Sequence, residues 1–216
     1  MQTCEPSLRE RRRARTWDAI HAAASELARK NGIKQTTAEL IAERAGVSPR
    51  TFFNYFSAKE DAIIGLRTPM MSEEVLESVP QREGGNLLAY AARILMRVLR
   101  DSLSHHSWTL DGEIFRENPE LRQRMKIHTL RCEHELQEFL LAMDWGVYES
   151  TGRLVRREGE EGAPDEHQTE RVRATVLMAA AVLRHIRFGA ELSTAELDSA
   201  IGDTVTLFAH IVKEAR

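Results

Sequence analysis

The fold turns on GVSPRTFFNYFSAKE, residues 46–60. Gly46 can end a helix in the left-handed conformation. Ser48-Pro49 starts the next one, because Ser is a preferred N-cap and Pro is preformed for the first helical position. The spacing predicts a short helix over Pro49–Tyr55, on which Phe52 and Phe56, four apart, share a face that can enter a core. The leading and opposite sides carry Arg50, Thr51, Asn54 and Tyr55, all donors or acceptors, and the first-turn N–H groups point outward as an anion site. Ser57 and Glu60 have capping-box spacing and open a fourth helix through Asp61, Ile63, Ile64 and Leu66.

Upstream, Trp17, Ile20, Ala24, Leu27 and Ala28 recur at helical spacing between Arg15 and Lys30, and Asn31-Gly32 is a stop signal. Thr36 and Glu39 again have capping-box spacing, so a second helix is expected from there to Ala45, with Ala38, Ile41, Ala42 and Ala45 facing inward. Two helices separated by a short Gly-containing turn make a helix-turn-helix. In such a unit the second helix enters the major groove by its N-terminal end, where Arg can reach guanine O6/N7 and Asn adenine N6/N7.

Downstream, Thr68–Pro80 gives no clear pattern and Glu83-Gly84-Gly85 is a break. Helices are expected over about Asn86–Ser104, around Glu113, over Pro119–Met143, Thr169–Phe188 and Thr194–Glu214, and the third of these carries Met125, Cys132, Leu136, Phe139 and Met143 on one stripe. Residues 159–167, GEEGAPDEH, are polar and rich in breakers, and a mobile surface loop is expected there. No stretch alternates as a strand would and none repeats, so the fold class is all-α.

The totals agree with a globular chain: 216 residues, 42% of them apolar, with no apolar run approaching the roughly 18 residues of a membrane helix. The N-terminus, MQTCEPSLRERRRARTW, is charged where a signal peptide is apolar, which places the protein in the cytoplasm. Cys4 and Cys132 have no C-x-x-C spacing and read as simple thiols of a reducing compartment. The net charge of −3 divides unevenly: residues 1–69 carry twelve Lys/Arg against eight Asp/Glu, and residues 70–216 carry eighteen against twenty-five. A basic head on an acidic body is the asymmetry expected when only the head meets a polyanion.

The run WDAIHAAASELARKNGIKQTTAELIAERAGVSPRTFFNYFSAKEDAI resembles the N-terminal DNA-binding domain of the TetR family of transcriptional regulators, most specifically in TTAELIAERAGVSPRTFFNYFSAKE. The resemblance implies an all-helical homodimer. Each subunit would have a three-helix DNA-binding head, here 15–58 behind a flexible basic arm of residues 1–14. A helical effector-binding and dimerisation body, 59–216, would hold a ligand cavity and pair through its last two helices. Carried over position by position, Arg50 and Thr51 match base or phosphate contacts, Ser48 and Pro49 the groove-entering start of the helix, and Tyr55 a phosphate contact. Lys59 matches the fourth-helix lysine at the DNA backbone and Thr37 a contact at the start of helix two. Phe53 stands where Tyr is commoner and has no phenolic donor, which leaves van der Waals contact to sugar. Leu40 is apolar where a polar residue is usual.

Several features have two readings. Residues 9–15, RERRRAR, which include Arg12 and Arg13, read either as a solvated, frayed terminus or as an arm for phosphates or the minor groove. Met96, Trp108, Met125, Phe139, Met143 and Trp145 read as cavity lining or as plain core. His128 and Cys132 share a helix face, but two ligands fall short of a structural zinc site. Glu158, Glu160 and Glu161 read as a charged surface, and no nucleophile elbow, phosphate loop or His/Asp/Ser set is present, so neither catalysis, cofactor nor metal is expected. The expected function is a sequence-specific repressor released from a palindromic operator by a small molecule. Its rivals are a regulator without such an effector, and a helical enzyme or binding protein that keeps the head as a relic.

Overall fold

A computed structural model of the chain describes residues 7–81, 85–104, 115, 117–159, 164–186 and 193–214. Helices dominate: α1 (Leu8–Asn31), α2 (Ala38–Arg44), α3 (Pro49–Tyr55), α4 (Lys59–Ile64), α5 (Glu73–Ser78), α6 (Leu87–Asp101), α7 (Pro119–Leu141), α8 (Trp145–Thr151), α9 (Glu166–His185) and α10 (Thr194–Glu214). Among the described residues the extended pairings are isolated bridges, Leu66 with Leu103 and Met143 with Arg156. No described helix is long and apolar enough to cross a membrane. The predicted helix around Glu113 lies outside the described residues, as does part of the predicted loop, 160–163.

The chain forms two compact units: a head, which runs as far as Arg67 and takes in Leu103–Lys126, and a body of Thr68–Ser102 with Ile127–Arg216. The head core is Trp17, Ile20 and Ala24 of α1, Ile41 and Ala42 of α2, Phe52 and Phe56, and Ala62, Ile63 and Ile64 of α4. Leu103-Ser104 joins it because Leu103 bridges Leu66 and the Ser104 N–H donates to the Gly65 carbonyl at 3.1 Å. Gly65 ends α4 with φ +74, and a Cβ there would lie 2.7 Å from both the His21 ring and Ser104 Oγ, so only glycine fits. His21, buried, closes this junction: Nδ1 lies 2.7 Å from the Ala62 carbonyl and Nε2 lies 2.8 Å from Ser104 Oγ. A carbonyl can only accept, so Nδ1 carries a proton and donates to Ala62, while the Ser104 hydroxyl, which can donate or accept, partners Nε2.

The body is organised on α6, which packs against α5, α9 and α10. Its buried residues include Ala91, Ala92, Ile94, Leu95, Val98 and Leu99, apolar on nearly every side, as a central helix must be. Helix α8 has no counterpart in the expected elements, although its signals are in the sequence: Asp144 caps the Val147 N–H at 3.0 Å and Gly152 ends it in the left-handed region. Asp144 N–H also donates to the Val155 carbonyl at 2.8 Å, and Gln81 pairs with both backbone groups of Leu154.

Candidate nucleic-acid interface

Helices α2 and α3 form the helix-turn-helix, with the predicted ends of α3 reproduced. The turn is made by Gly46 at φ +68, followed by Ser48, whose Oγ accepts from the Thr51 N–H at 3.1 Å and lies 2.9 Å from Thr51 Oγ1. Phe52 and Phe56 are 0% and 2% exposed, with ring centroids 6.0 Å apart, and Phe56 lies 5.3 Å from Trp17 of α1. This anchor leaves Pro49, Arg50, Phe53 and Asn54 exposed on the free side, with Thr51 and Tyr55 half-buried at its edges. Phe53 is 56% exposed and stands edge-on to Phe52 at 5.2 Å, which fixes its direction.

Two predicted capping boxes are not formed. The N-cap of α2 is Thr37, whose Oγ1 accepts from the Leu40 N–H at 3.3 Å; Thr36 is buried and donates backward to the Gly32 carbonyl at 2.9 Å. Thr37 is exposed at the start of α2, where a DNA contact is expected. Helix α4 begins after Ala58 with no side-chain cap, because Ser57 Oγ donates to Asp61 Oδ2 at 2.7 Å instead. That carboxylate also receives Arg124 of α7: Nε reaches Oδ1 at 2.6 Å, Nη2 reaches Oδ2, and Nη2 reaches Ser57 Oγ at 2.9 Å. Asp61 holds the Arg124 guanidinium above its ordinary pKa, mainly through these hydrogen bonds.

Lys59 has an internal role that the sequence reading missed. Its half-buried ammonium donates to the carbonyls of Ile33 and Thr36, each at 2.8 Å, and so ties the α1–α2 turn to α4. One of its three protons is left for a phosphate.

The basic N-terminal segment also differs from expectation. Helix α1 starts at Leu8, not Arg15, so residues 8–14, with Arg12 and Arg13 among them, are helical rather than part of a flexible arm. The cause is a capping box: the Ser7 Oγ accepts from the Glu10 N–H at 3.2 Å and the Glu10 carboxylate accepts from the Ser7 N–H at 2.7 Å. Those bonds hold the Glu10 carboxyl below its usual pKa. The Ser-x-x-Glu motif at 7–10 was legible and would have found this helix start. Arg13 lies over the ring of Tyr55, 5.9 Å from its centroid. This brings α1 and α3 together along one edge.

A family model described as bacterial regulatory proteins of the tetR family matches residues 20–63. Over 180 residues the chain is 30% identical to the HTH-type transcriptional regulator TcmR of Streptomyces glaucescens, covering 71% of this chain and 76% of that protein. The chain belongs to the TetR family. It is therefore a DNA-binding transcriptional regulator, and the helix-turn-helix is the part that meets DNA. Among solved structures this TetR-family chain is similar to Salmonella enterica GusR (20% identity, 92% of this chain and 95% of that one, TM-score 0.40). It is also similar to Thermus thermophilus FadR, a TetR family repressor in complex with lauroyl-CoA (18% identity, 88% and 92%, TM-score 0.23). Overlays this loose add nothing to the sequence match.

Of the predicted pocket residues, Met96 and Met143 are buried core of the body and Phe139 is half-buried there; Met125 is half-buried in the stretch of α7 that belongs to the head, and Trp108 lies outside the described residues. An apolar groove of about 340 Å³ is lined instead by Leu88, Met178, Val205, Phe208 and Val212, with Asn86 and Lys213 beside them. None of the four predicted pocket residues that are described lines it. His128 and Cys132 are both buried beside Ser102: His128 Nε2 lies 2.8 Å and Cys132 Sγ 3.7 Å from Ser102 Oγ. Burial pushes the thiol up to about 11, which keeps it protonated and unreactive at neutral pH.

Proposed function

We propose that the protein is a repressor that binds a palindromic operator as a homodimer and is released by a small molecule held in its body. The observation that carries the DNA-reading part is the anchoring of α3: Phe52 and Phe56 are sealed in the head core while Arg50, Phe53 and Asn54 remain in solvent. Arg50 reads guanine and Asn54 adenine from the major groove, and the Phe53 ring packs on a thymine methyl or a neighbouring sugar. Ser48, Pro49 and Thr51 form the leading edge, and Thr37, Tyr55 and Lys59 set the register on phosphates.

For the homodimer, support comes from α9 and α10, which pack on one another and leave Leu177, Met178, Leu207, Ile211 and Val212 exposed. So much apolar surface on paired helices is the mark of an interface. A ligand that prefers the operator-incompetent state lowers operator affinity by its differential affinity for the two states, and by no more.

Selection of bound duplexes from a random pool tests the reading, since it returns a half-site, its symmetry and its spacing. A pool that comes back without sequence preference would remove sequence-specific recognition. Regulation without a small molecule is the second reading. It is favoured by Met96 and Met143, which fill core in place of lining a cavity; a thermal-shift screen in which no compound stabilises the protein would select it.

A further inference from the structure

Helix α1 begins with an arrangement that is unfavourable for an isolated protein. Arg9, Arg11, Arg12, Arg13 and Arg15 are all exposed within its first turns. Arg9 and Arg13 are four apart, as are Arg11 and Arg15, and like charges at that spacing repel across a helix face. They also sit at the positive end of the helix dipole, where acidic residues are favoured and arginines are not. Glu10, the acidic residue of the first turn, is committed to Ser7. No described carboxylate pairs with any of the five, whereas Arg44 and Arg67, elsewhere in the head, pair with Glu26 and Asp18. A frayed terminus would relieve this repulsion, but the Ser7/Glu10 box holds the segment helical.

We propose that the arginine face of α1 is a second DNA-contacting surface, a rigid ladder that grips the phosphates of the duplex beside the half-site read by α3. The inference rests on the DNA-reading assignment above and extends it to DNA that α3 does not read. Continuity with the reading helix comes from Arg13, whose guanidinium lies over Tyr55 at the end of α3. Arg9, Arg12 and Arg13 share that side of α1 by their spacing. Arg9 and Arg13 are separated by about 6 Å along the helix axis, close to the roughly 7 Å spanned by two phosphate steps of one strand. Bound to phosphate, the three charges on that side are met by opposite charge, and the release of counterions drives binding with no demand on base sequence. The family match starts at residue 20, so this surface lies outside the segment that identifies the head.

The test uses the full chain and two duplexes that carry one selected operator. One duplex ends at the outer edges of the half-sites, and the other continues for about one helical turn at each end. The triple variant Arg9→Gln, Arg12→Gln, Arg13→Gln keeps good helix formers in place, and circular dichroism checks that α1 stays helical. The wild type is expected to bind the longer duplex roughly tenfold tighter near 0.15 M salt, with a salt slope steeper by about 2 to 3. The variant should lose both gains and keep its base preference. A variant that retains the length gain, or a wild type that shows none, overturns the ladder. The same length series on scrambled duplex separates this from failure of the DNA-reading assignment: a wild type that grips operator and scrambled DNA equally removes sequence reading, yet the ladder still requires the length gain and its loss in the variant. Arginine-dependent binding to phosphatidylserine vesicles with no length gain on DNA would also overturn it.

Discussion

Helix α3 and the α9–α10 pair use the same kind of side chain to opposite ends. Phe52 and Phe56 of the α3 region are 0% and 2% exposed, whereas Ile211 and Val212 of α10 are 53% and 56% exposed. The head closes its core within one chain, so its polar leading edge faces solvent on a fixed support. The α9–α10 surface does not close. Apolar area left in water forgoes about 25 cal/mol for each Å² it could bury, which a second copy would supply. A surface completed within the chain is free to read a ligand; one left incomplete is, in the homodimer proposed above, the face that meets its own copy.

The comparison breaks most severely at Phe52. Phe52→Ala is expected to cost about 3–5 kcal/mol, the range for a fully buried ring, and to abolish operator binding in a band-shift titration while sedimentation still reports a dimer. Unchanged operator affinity would separate α3's presentation from its aromatic anchor. On the other side of the comparison, Ile211→Glu places a charge on the apolar face. Sedimentation should report a monomer, and operator affinity should fall by about 100-fold through loss of two-headed binding. A dimer that persists undiminished would remove α10 from the interface.

The head closes its polar interior as well, at Asp61. Arg124→Ala leaves that nearly buried carboxylate with Ser57 alone and should lower head stability by about 1–3 kcal/mol, less than for a wholly buried pair because the guanidinium is partly solvated. Arg124→Lys should restore less than half of this, since an ammonium cannot bridge both oxygens. Equal melting of all three proteins would show that the pair contributes nothing.

What could be read in the sequence follows the same division. Local rules place α3 because its start and its buried face are all decided within Gly46–Phe56: a left-handed glycine, Ser-Pro, and aromatics at helical spacing. The same rules went astray where tertiary partners compete for a capping group. Ser57 looks like an N-cap, yet Asp61 and Arg124 claim its hydroxyl, and Arg124 is distant in sequence. Thr36 has capping-box spacing, yet it is buried and turns back to Gly32. Lys59 looks like a free cation until the α1–α2 turn brings two carbonyls to it. The roles of Met96 and Met143 were beyond reach because a core methionine and a pocket methionine share one periodicity, and only packing tells them apart.

The smallest expected effect concerns Glu133, the body's counterpart to Asp61. Both carboxylates are buried, but Asp61 meets a mostly buried guanidinium on two bonds, while Glu133 meets Arg184 at 3.4 Å with the arginine side chain 71% exposed. Burial raises the Glu133 carboxyl above its ordinary value, and Arg184 offsets this only in part. A folded-state pKa above the unfolded one gives stability that is fully present below the unfolded value, about 4.3, and is lost as pH rises through the folded value. At pH 7 the ionised carboxylate is thus a liability relative to a neutral group. Glu133→Gln should then stabilise the body at pH 7 by under about 1 kcal/mol, a rise in Tm of at most about 2–4 °C, and the advantage should shrink as pH falls toward 4. Were the variant instead less stable at pH 7, the screened contact with Arg184 would outweigh desolvation, and the contrast between a head that pairs its buried charge and a body that only tolerates one would fail.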